Sequence, residues 1–233
     1  MSVLVAQLLS LRKELAIELQ RFILLWRYQN AVPPFTLWWR LVLKRIVDFV
    51  GSIVGIVIAA PIMAIIAIAV KLDSRGPVIY AQERVGRFGE SFRIYKFRTM
   101  RVDAEAGGPV WSAGDRDPRM TRLGGILRRT HLDEVPQLFN VVRGDMSLVG
   151  PRPERPHFVD ELNRAIPRYN ERLLIKPGMT GLAQVHYRYD KSLADVKRKL
   201  RFDLLYTRRM CLALDLRILA WTALVVLTGH GIR

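Results

Sequence analysis

The strongest constraint on the fold of this chain is a run of 22 residues, Phe49 to Val70, without a charged side chain. A helix of that length rises about 33 Å, enough to cross the hydrocarbon core of a bilayer. The run begins too far from the N-terminus and is too long for a signal peptide, and a soluble core would have to bury it on every side. The sequence therefore predicts a membrane segment.

Pro61 lies near the middle of this run. Proline lacks the backbone donor and clashes with the carbonyl group four residues back, so a bend is expected there. Both flanks are basic, with Lys44 and Arg45 before the run and Lys71 and Arg75 after it. Because positive residues prefer the cytoplasmic side, a re-entrant helix-break-helix is favoured over a crossing. A kinked spanning helix is the alternative.

Two further stretches have an interfacial character. Apolar residues recur at helical spacing among charged ones over residues 3–26, which predicts an amphipathic helix on a membrane or a partner. Pro33-Pro34 separate it from Trp38, Trp39 and Arg40, a cluster typical of headgroup depth. The 12 residues after Asp215 are too short to cross and predict a core or interfacial helix.

The remaining chain predicts a small domain of mixed structure. β-like runs at Val78–Gln82 and Ser91–Phe97 flank a glycine turn, helical patterns occupy Asp160–Leu174 and Ser192–Leu227, and residues 101–120 resemble a surface loop. The predicted fold class is α+β: a mainly helical small catalytic domain with a re-entrant membrane helix-break-helix and amphipathic interfacial helices. The predicted division is an interfacial extension over 1–40, the membrane segment over 41–75 and the catalytic domain over 76–233.

Charge and composition narrow the classes of function. There are 37 Lys and Arg against 21 Asp and Glu, a formal net charge of +16, which calls for nucleic acid, a phospholipid surface or a phosphorylated substrate as partner. The single cysteine, Cys211, excludes an internal disulfide, and the four scattered histidines do not have zinc-site spacing. Strings typical of P-loops, Rossmann folds and serine nucleophiles do not occur in the sequence.

The residues best suited to chemistry are Asp133 and Glu134, which precede Pro136. Proline is comfortable in the first turn of a helix, so the acidic pair should lie at or just before a helix N-terminus. Adjacent side chains on a helix diverge by about 100°, so one carboxylate could attack while the other holds a cation such as Mg²⁺. An acidic pair also complements a helix dipole, so the pair alone does not establish catalysis. Nearby arginines suited to phosphate are Arg128, Arg129, Arg143 and Arg152.

Five strings together carry a family resemblance. They are KRIVD before the apolar run, YKFRTM (Tyr95–Met100), LGGILRRTHLDEVPQLFNVVRGDMSLVGPRPERP (Leu123–Pro156), KPGMTGLAQV (Lys176–Val185) and a closing helix with Asp203, Tyr206 and Asp215. Over about residues 44 to 231 the chain resembles the monotopic phosphoglycosyl transferases, the bacterial sugar transferase family. In place of the family's Ser-Pro at the membrane break, this chain has Ala60-Pro61.

The resemblance implies transfer of a sugar-1-phosphate from a nucleotide-diphosphate sugar, expected to be a UDP-sugar, to undecaprenyl phosphate, a polyprenol phosphate. The product initiates exopolysaccharide, O-antigen or capsule-type glycans at the cytoplasmic face of the bacterial inner membrane. By the same resemblance Asp133 is the nucleophile of a ping-pong reaction and Glu134 a ligand of Mg²⁺. Residues expected to bind phosphate or substrate are Lys96, Arg98, Arg128, Arg152, Thr180 and Gln184.

The expected partners are the two substrates and membrane lipid, with the first 40 residues a candidate dimerisation segment. Nucleic acid is not expected as a partner. A membrane-tethered nucleic-acid-binding protein and an inactive scaffold of a glycan-assembly complex are the alternatives. No residues in the sequence indicate which sugar the donor carries.

Overall fold

The computed structural model of the protein describes residues 2–29, 33–104, 117–187 and 192–228, and this part is mainly helical, as expected. Its α-helices are α1 (Ser2–Tyr28), α2 (Pro34–Asp73), α3 (Arg122–Arg129), α4 (Gln137–Arg143), α5 (Pro156–Ala165), α6 (Leu182–His186), α7 (Leu193–Arg209) and α8 (Leu212–Thr228). Its strands are β1 (Ile79–Val85), β2 (Ser91–Phe97), β3 (Ser147–Val149) and β4 (Gly178–Thr180). Short 3₁₀ helices lie at Arg87–Gly89, Leu132–Glu134 and Tyr169–Leu174.

Helix α2 contains the whole apolar run. It begins at Pro34, whose missing N–H and fixed φ suit a first helical turn, so Trp38 and Trp39 belong to the same helix as the apolar residues. The helix also continues through Pro61, so the expected separation into two half-helices at that residue is not seen in the backbone. It is long and apolar enough to cross a membrane, and only 11% of its most apolar window is buried. Its course relative to the bilayer stays a prediction.

The predicted hairpin is present. Strands β1 and β2 pair antiparallel, with Tyr80 opposite Lys96, and the turn between them contains Phe88 and Gly89 at positive φ. A second sheet, in which β3 and β4 pair in parallel, was not predicted. Each of its strands has only three residues, too few for the alternation that marks a strand in sequence.

The long helical patterns near the C-terminus are interrupted. Helix α5 ends at Ala165 because Pro167 forces Ile166 into an extended conformation, and a 3₁₀ helix follows. Helices α7 and α8 are separated at Met210, which leaves the helical region with ψ of 120° and is almost fully buried. Of the predicted loop over 101–120, residues 105–116 lie outside the described residues, and Met100 and Met120 form an antiparallel bridge at its base.

The largest apolar core joins the N-terminal helices to the C-terminal ones. Leu25 of α1, Leu37 of α2, Val149 of β3, Tyr206 of α7 and Ile218 of α8 are buried together in it. A separate core packs Ile66 and Val70 of α2 against Phe97 and Leu127. The apolar helix α2 is therefore part of the domain's cores as well as the membrane candidate.

Candidate active site

The Asp133-Glu134 pair lies where Pro136 predicts it, in the 3₁₀ turn that precedes α4. His131 enters this turn in the left-handed conformation, with φ of 58°, and Pro136 then occupies the N-cap of α4. Asp133 is 5% exposed and Glu134 is half-buried, so both carboxylates lie in the body of the domain.

Two cations hold the Glu134 carboxylate. Lys96 of β2 donates to Oε1 at 2.6 Å, and the Arg152 guanidinium donates to Oε1 at 2.7 Å and to Oε2 at 3.4 Å. Burial opposes ionisation of Glu134, but the charges of Arg152 and Lys96 outweigh it and hold its pKa well below the ordinary value. Glu134 in turn raises the pKa of Arg152. Glu134 is therefore an ionised carboxylate that fixes two cations.

Asp133 has a different environment. Burial raises its pKa, the adjacent Glu134 raises it further, and Lys96, Arg128 and Arg152 act in the opposite direction. Among the described residues, none donates a hydrogen bond to the Asp133 carboxylate. Its oxygens are therefore not engaged with protein donors, as a nucleophile requires.

Arg128 adds an unused donor beside this pair. Its Nη1 is buried and has no hydrogen-bond partner within the described ranges. A buried guanidinium nitrogen normally has an acceptor, so this one is suited to an anionic ligand. With Lys96 and Arg152 it gives three cationic side chains around two carboxylates, a combination suited to phosphate oxygens.

Asn140 of α4 brings β2 to the acidic pair. Its amide group, fully buried, donates to the carbonyl oxygen of Arg93 at 2.7 Å and accepts from the Tyr95 N–H at 3.0 Å. These bonds satisfy two backbone groups on the edge of β2 that has no neighbouring strand among the described residues. They also hold β2 where Lys96 can reach Glu134. The role of the asparagine in the L-D-E-x-P-Q-x-x-N string is therefore structural.

Arg152 is positioned by its backbone. The buried Arg172 donates to the Arg152 carbonyl oxygen at 2.7 Å and is held by the Asp203 carboxylate and the Tyr169 hydroxyl, at 3.0 and 2.7 Å. Burial would lower the pKa of Arg172, but Tyr169 and Asp203 raise it. This network explains the buried acid on α7, and Arg172 was not singled out from the sequence.

Close backbone packing supports the Gly150-Pro151-Arg152 turn from the other side. The Gly150 N–H donates to the Thr180 carbonyl at 2.8 Å, and the Gly178 N–H donates to the Pro151 carbonyl at 2.9 Å. A Cβ at Gly178 would overlap the backbone nitrogen of Gly150. The glycine of the K-P-G-M-T-G string is therefore needed for the approach of β4 to β3.

The KRIVD string attaches α2 to the same region. Lys44 donates to Asp215 at 2.8 Å and to the Val149 carbonyl at 3.0 Å, and the Tyr206 hydroxyl contacts both of these acceptors. Asp48 accepts from the Leu148 N–H at 3.0 Å. Arg45 of the same string donates to the carbonyls of Val141 and Val142, near the end of α4.

Three of the predicted binding residues are not brought into the Glu134 cluster. Arg98, expected to bind phosphate or substrate, donates to the Val70 carbonyl in the last turn of α2 and to the Ser74 and Arg75 carbonyls just after the helix. The Thr180 hydroxyl lies 2.7 Å from that of Thr222, so it is engaged with α8. Gln184 lines a cavity of about 40 Å³ beside Arg152, and its Oε1 has no partner among the described residues.

The family model for the bacterial sugar transferases matches residues 39–229, which include the acidic pair, all three cations and the KRIVD string. The chain belongs to this family. Three curated relatives are 42%, 42% and 40% identical to it over 82%, 80% and 82% of its length. They are the UDP-N-acetylgalactosamine-undecaprenyl-phosphate N-acetylgalactosaminephosphotransferase of Aeromonas hydrophila, the UDP-glucose:undecaprenyl-phosphate glucose-1-phosphate transferase of Xanthomonas campestris pv. campestris and the exopolysaccharide production protein PSS of Rhizobium leguminosarum bv. phaseoli.

The extent of the match differs among these relatives. The chain spans 45% of the Aeromonas protein and 39% of the Xanthomonas protein, but 98% of the Rhizobium protein. About four fifths of this chain, including the acidic pair, therefore matches less than half of the Aeromonas and Xanthomonas proteins.

The carboxylates at this site are compatible with Mg²⁺ only if the substrate supplies further ligands. The described part of the chain contains no group of three or more His, Cys, Asp or Glu side chains able to hold a metal ion. Mg²⁺ commonly binds through one or two carboxylates plus substrate phosphates, and Asp133 and Glu134 provide those carboxylates. Glu134 Oε2 has only a long contact, 3.4 Å, to Arg152, so it fits this role best.

Proposed function

We propose that this sugar transferase moves a sugar-1-phosphate from a nucleotide-diphosphate sugar onto a polyprenol phosphate. The observation that carries the proposal is the nearly buried Asp133 carboxylate, free of protein donors among the described residues and surrounded by cations. The Aeromonas and Xanthomonas relatives, both named as undecaprenyl-phosphate transferases, support the acceptor class. The alternative of a nucleic-acid-binding protein has no comparable support.

In the first half-reaction an Asp133 oxygen attacks the sugar-bearing phosphorus of the donor. An O–P bond forms to Asp133 while the bond from that phosphorus to the bridging oxygen breaks, and the nucleoside monophosphate leaves with the electron pair. The product is an acyl phosphate in which the aspartyl group carries the phosphosugar. Covalent catalysis of this kind divides one exchange into two easier displacements.

In the second half-reaction a phosphate oxygen of the polyprenol phosphate attacks the same phosphorus. The new O–P bond forms as the bond to Asp133 breaks, which restores the carboxylate and yields a polyprenol-diphosphate sugar. No net proton transfer is required at either displacement. The two substrates therefore react in turn, which predicts ping-pong kinetics.

The surrounding cations stabilise the charge of both displacements. Arg128 offers its unpartnered Nη1 to a phosphate oxygen, and Arg152 and Lys96, already oriented by Glu134, face the same region. Fixed cations in a partly buried site need no reorganisation as negative charge develops on the equatorial oxygens. Removing one such contact typically costs about 100- to 1000-fold in kcat.

Glu134 is the proposed protein ligand of Mg²⁺, with substrate phosphates completing the coordination. When bound, the ion would neutralise part of the diphosphate charge. Glu134 also orients the side chains of Lys96 and Arg152 through its ion pairs with them. Its loss is therefore expected to be damaging even for steps in which the metal ion has no part.

The donor is proposed to be a UDP-sugar, the donor class in the names of the Aeromonas and Xanthomonas relatives, whose sugars differ. The Rhizobium relative is named for exopolysaccharide production, which supports the first step of an exopolysaccharide-type pathway as the biological role. A panel of UDP-sugars assayed by release of UMP identifies the sugar.

The contacts of α2 support a re-entrant membrane course. Arg45 near the start of the apolar run and Val70 at its end both bind the same domain, through α4 and through Arg98. A straight helix would separate residues 25 positions apart by about 38 Å, more than the roughly 30 Å hydrocarbon core, so a perpendicular crossing would place these ends on opposite sides. We therefore propose that both ends of α2, together with the catalytic domain that they contact, lie on the cytoplasmic face of the inner membrane.

The decisive experiment uses the donor alone. Wild-type protein given a UDP-sugar labelled in its sugar-phosphate part should release at most one equivalent of UMP and retain one equivalent of label on Asp133. Asp133→Asn should show neither, while Asp160→Asn, which changes an exposed carboxylate on α5, should behave as wild type. Label retained by Asp133→Asn, or turnover only when both substrates are present, contradicts the covalent mechanism.

A further inference from the structure

An apolar pocket of about 520 Å³ has Pro136, which follows the acidic pair in the chain, in its wall. It lies between the second half of α2, strand β2 and the beginning of α4. Its walls are formed by Met63, Ala64, Ala67, Phe97, Pro136 and Phe139. We call it the α2–α4 pocket; its volume falls in the range of sites that bind small molecules.

The α2–α4 pocket and the charged cluster are built on the same two elements. Pro136, in the pocket wall, follows Glu134 by two residues. On β2, Tyr95 and Phe97 line the pocket while Lys96 between them reaches Glu134, because successive side chains of a strand point to opposite sides. The pocket and the cations therefore lie on opposite sides of β2 and meet at the turn that contains Glu134 and Pro136. A ligand with a phosphate head at the cations would extend its apolar tail past this turn into the pocket.

The pocket also continues onto the exposed apolar surface of α2. Ala64 is exposed on this helix, and Ile65 and Ile68 beside it are 62% and 63% exposed. None of the described side chains that line the pocket carries a charge. A charged headgroup would lose its hydration there without compensation, whereas a hydrocarbon chain that exceeds the pocket could continue along α2 into the bilayer.

We propose that the α2–α4 pocket binds the first isoprene units of the polyprenyl phosphate acceptor, next to its phosphate. This inference rests on the proposed function, since it assigns the tail of that acceptor. The phosphate would meet Arg128, whose Nη1 is unpartnered in the described part of the chain, and the tail would enter the pocket beyond Pro136. The site thereby selects for a phosphate monoester joined directly to an apolar chain.

The test fills the pocket without changing the cations. Ala64→Trp places an indole in the opening, whereas Ile65→Trp adds the same ring at the neighbouring position, which does not line the pocket. With undecaprenyl phosphate in phosphatidylethanolamine–phosphatidylglycerol vesicles, we expect Ala64→Trp to lower kcat/KM for the acceptor by about 10- to 200-fold. The donor-only release of UMP should stay at the wild-type level in both variants, which also shows that both are folded.

A direct labelling experiment distinguishes the isoprenoid from an ordinary lipid. A diazirine placed in the first isoprene units of a polyprenyl phosphate should label the peptide that contains Met63, and excess undecaprenyl phosphate should suppress this labelling. A phospholipid with a diazirine in its acyl chain should not label that peptide in competition with the isoprenoid. Equal labelling by both probes would make the pocket a general lipid site and overturn the inference.

The outcomes for the pocket and for the proposed function are separable. If wild-type protein transfers sugar phosphate to undecaprenyl phosphate but Ala64→Trp matches Ile65→Trp, only the pocket assignment is wrong. If wild-type protein forms no labelled Asp133 and transfers nothing to the acceptor, the proposed function fails and the pocket assignment falls with it. A loss confined to acceptor kinetics, together with isoprenoid labelling, supports both.

Discussion

Replacement of Asn140 by leucine tests whether the pairing of α4 with β2 holds the site together. Leucine has a similar size, so little cavity is created, but the Arg93 carbonyl and the Tyr95 N–H lose the partners they have at 2.7 and 3.0 Å. A backbone group left unsatisfied in a buried position costs about 1 to 3 kcal/mol, and because both bonds are only part-buried the two groups together should cost roughly 2 kcal/mol. For a chain of 233 residues, each kcal/mol corresponds to about 2 to 4 °C in Tm.

Thermal unfolding in detergent, followed by tryptophan fluorescence, should therefore show a Tm at least about 4 °C below that of wild type. Activity should fall further than stability explains, because Lys96 is no longer fixed 2.6 Å from Glu134, and a misplacement of about 1 Å can cost roughly 100-fold in rate. The assay is UMP release measured well below the Tm of the variant.

Asn163→Leu on α5 is the matched control. The Asn163 Oδ1 is buried without a hydrogen-bond partner in the described ranges, so its removal should leave Tm unchanged or raise it. An Asn140→Leu protein with the Tm and activity of wild type would refute the pairing argument. Equal damage from the two substitutions would show that loss of an amide, rather than this particular pairing, is responsible.

Two further substitutions test the electrostatics and the close packing. Lys96→Met removes a positive charge that lowers the pKa of Asp133. Because Asp133 must be ionised to attack, the acid limb of the pH profile of kcat/KM should move to higher pH in this variant. An unchanged acid limb would contradict the proposed coupling between the two residues. Gly178→Ala should lower both Tm and activity because its Cβ overlaps the backbone of Gly150, whereas Gly125→Ala on α3, with nothing within 4 Å, should raise the free energy of unfolding by about 1 kcal/mol. Equal Tm values for the two alanine variants, measured by thermal unfolding, would contradict the packing argument.

The elements with strong local signals could be predicted from the sequence. The apolar run, the β1–β2 hairpin and the placement of the acidic pair before α4 each depend on periodicity or on the fixed φ of a proline, which are local properties. The family resemblance is confirmed by the match to the bacterial sugar transferases. The roles of the individual site residues stay predictions until the experiments above are done.

The contacts that assemble the site depend on tertiary structure and could not be predicted in the same way. The parallel β3–β4 pair forms between segments about 30 residues apart, and each strand is too short to produce a pattern. Arg98 illustrates the same limit: the sequence predicts a phosphate or substrate contact, and only the structure shows that its guanidinium donates to the Val70 and Ser74 carbonyls at the end of α2. Arg172 lies in a helical pattern as an ordinary charged residue, and only the fold brings Asp203 and the Arg152 carbonyl to it.

The two arginine caps at the ends of the apolar run make the anchor inseparable from the domain. Arg45 donates to the Val141 and Val142 carbonyls near the end of α4, and Arg98 donates to the Val70 carbonyl in the last turn of α2 and to the Ser74 and Arg75 carbonyls just after it. Each part therefore binds the end of a helix of the other. Deleting the chain up to residue 75 would remove the Arg45 contacts from the end of α4, leave Arg98 without its carbonyl acceptors and expose Phe97 and Leu127 to water. A water-soluble version of this protein is therefore reached by changing the outward face of α2, not by removing the helix.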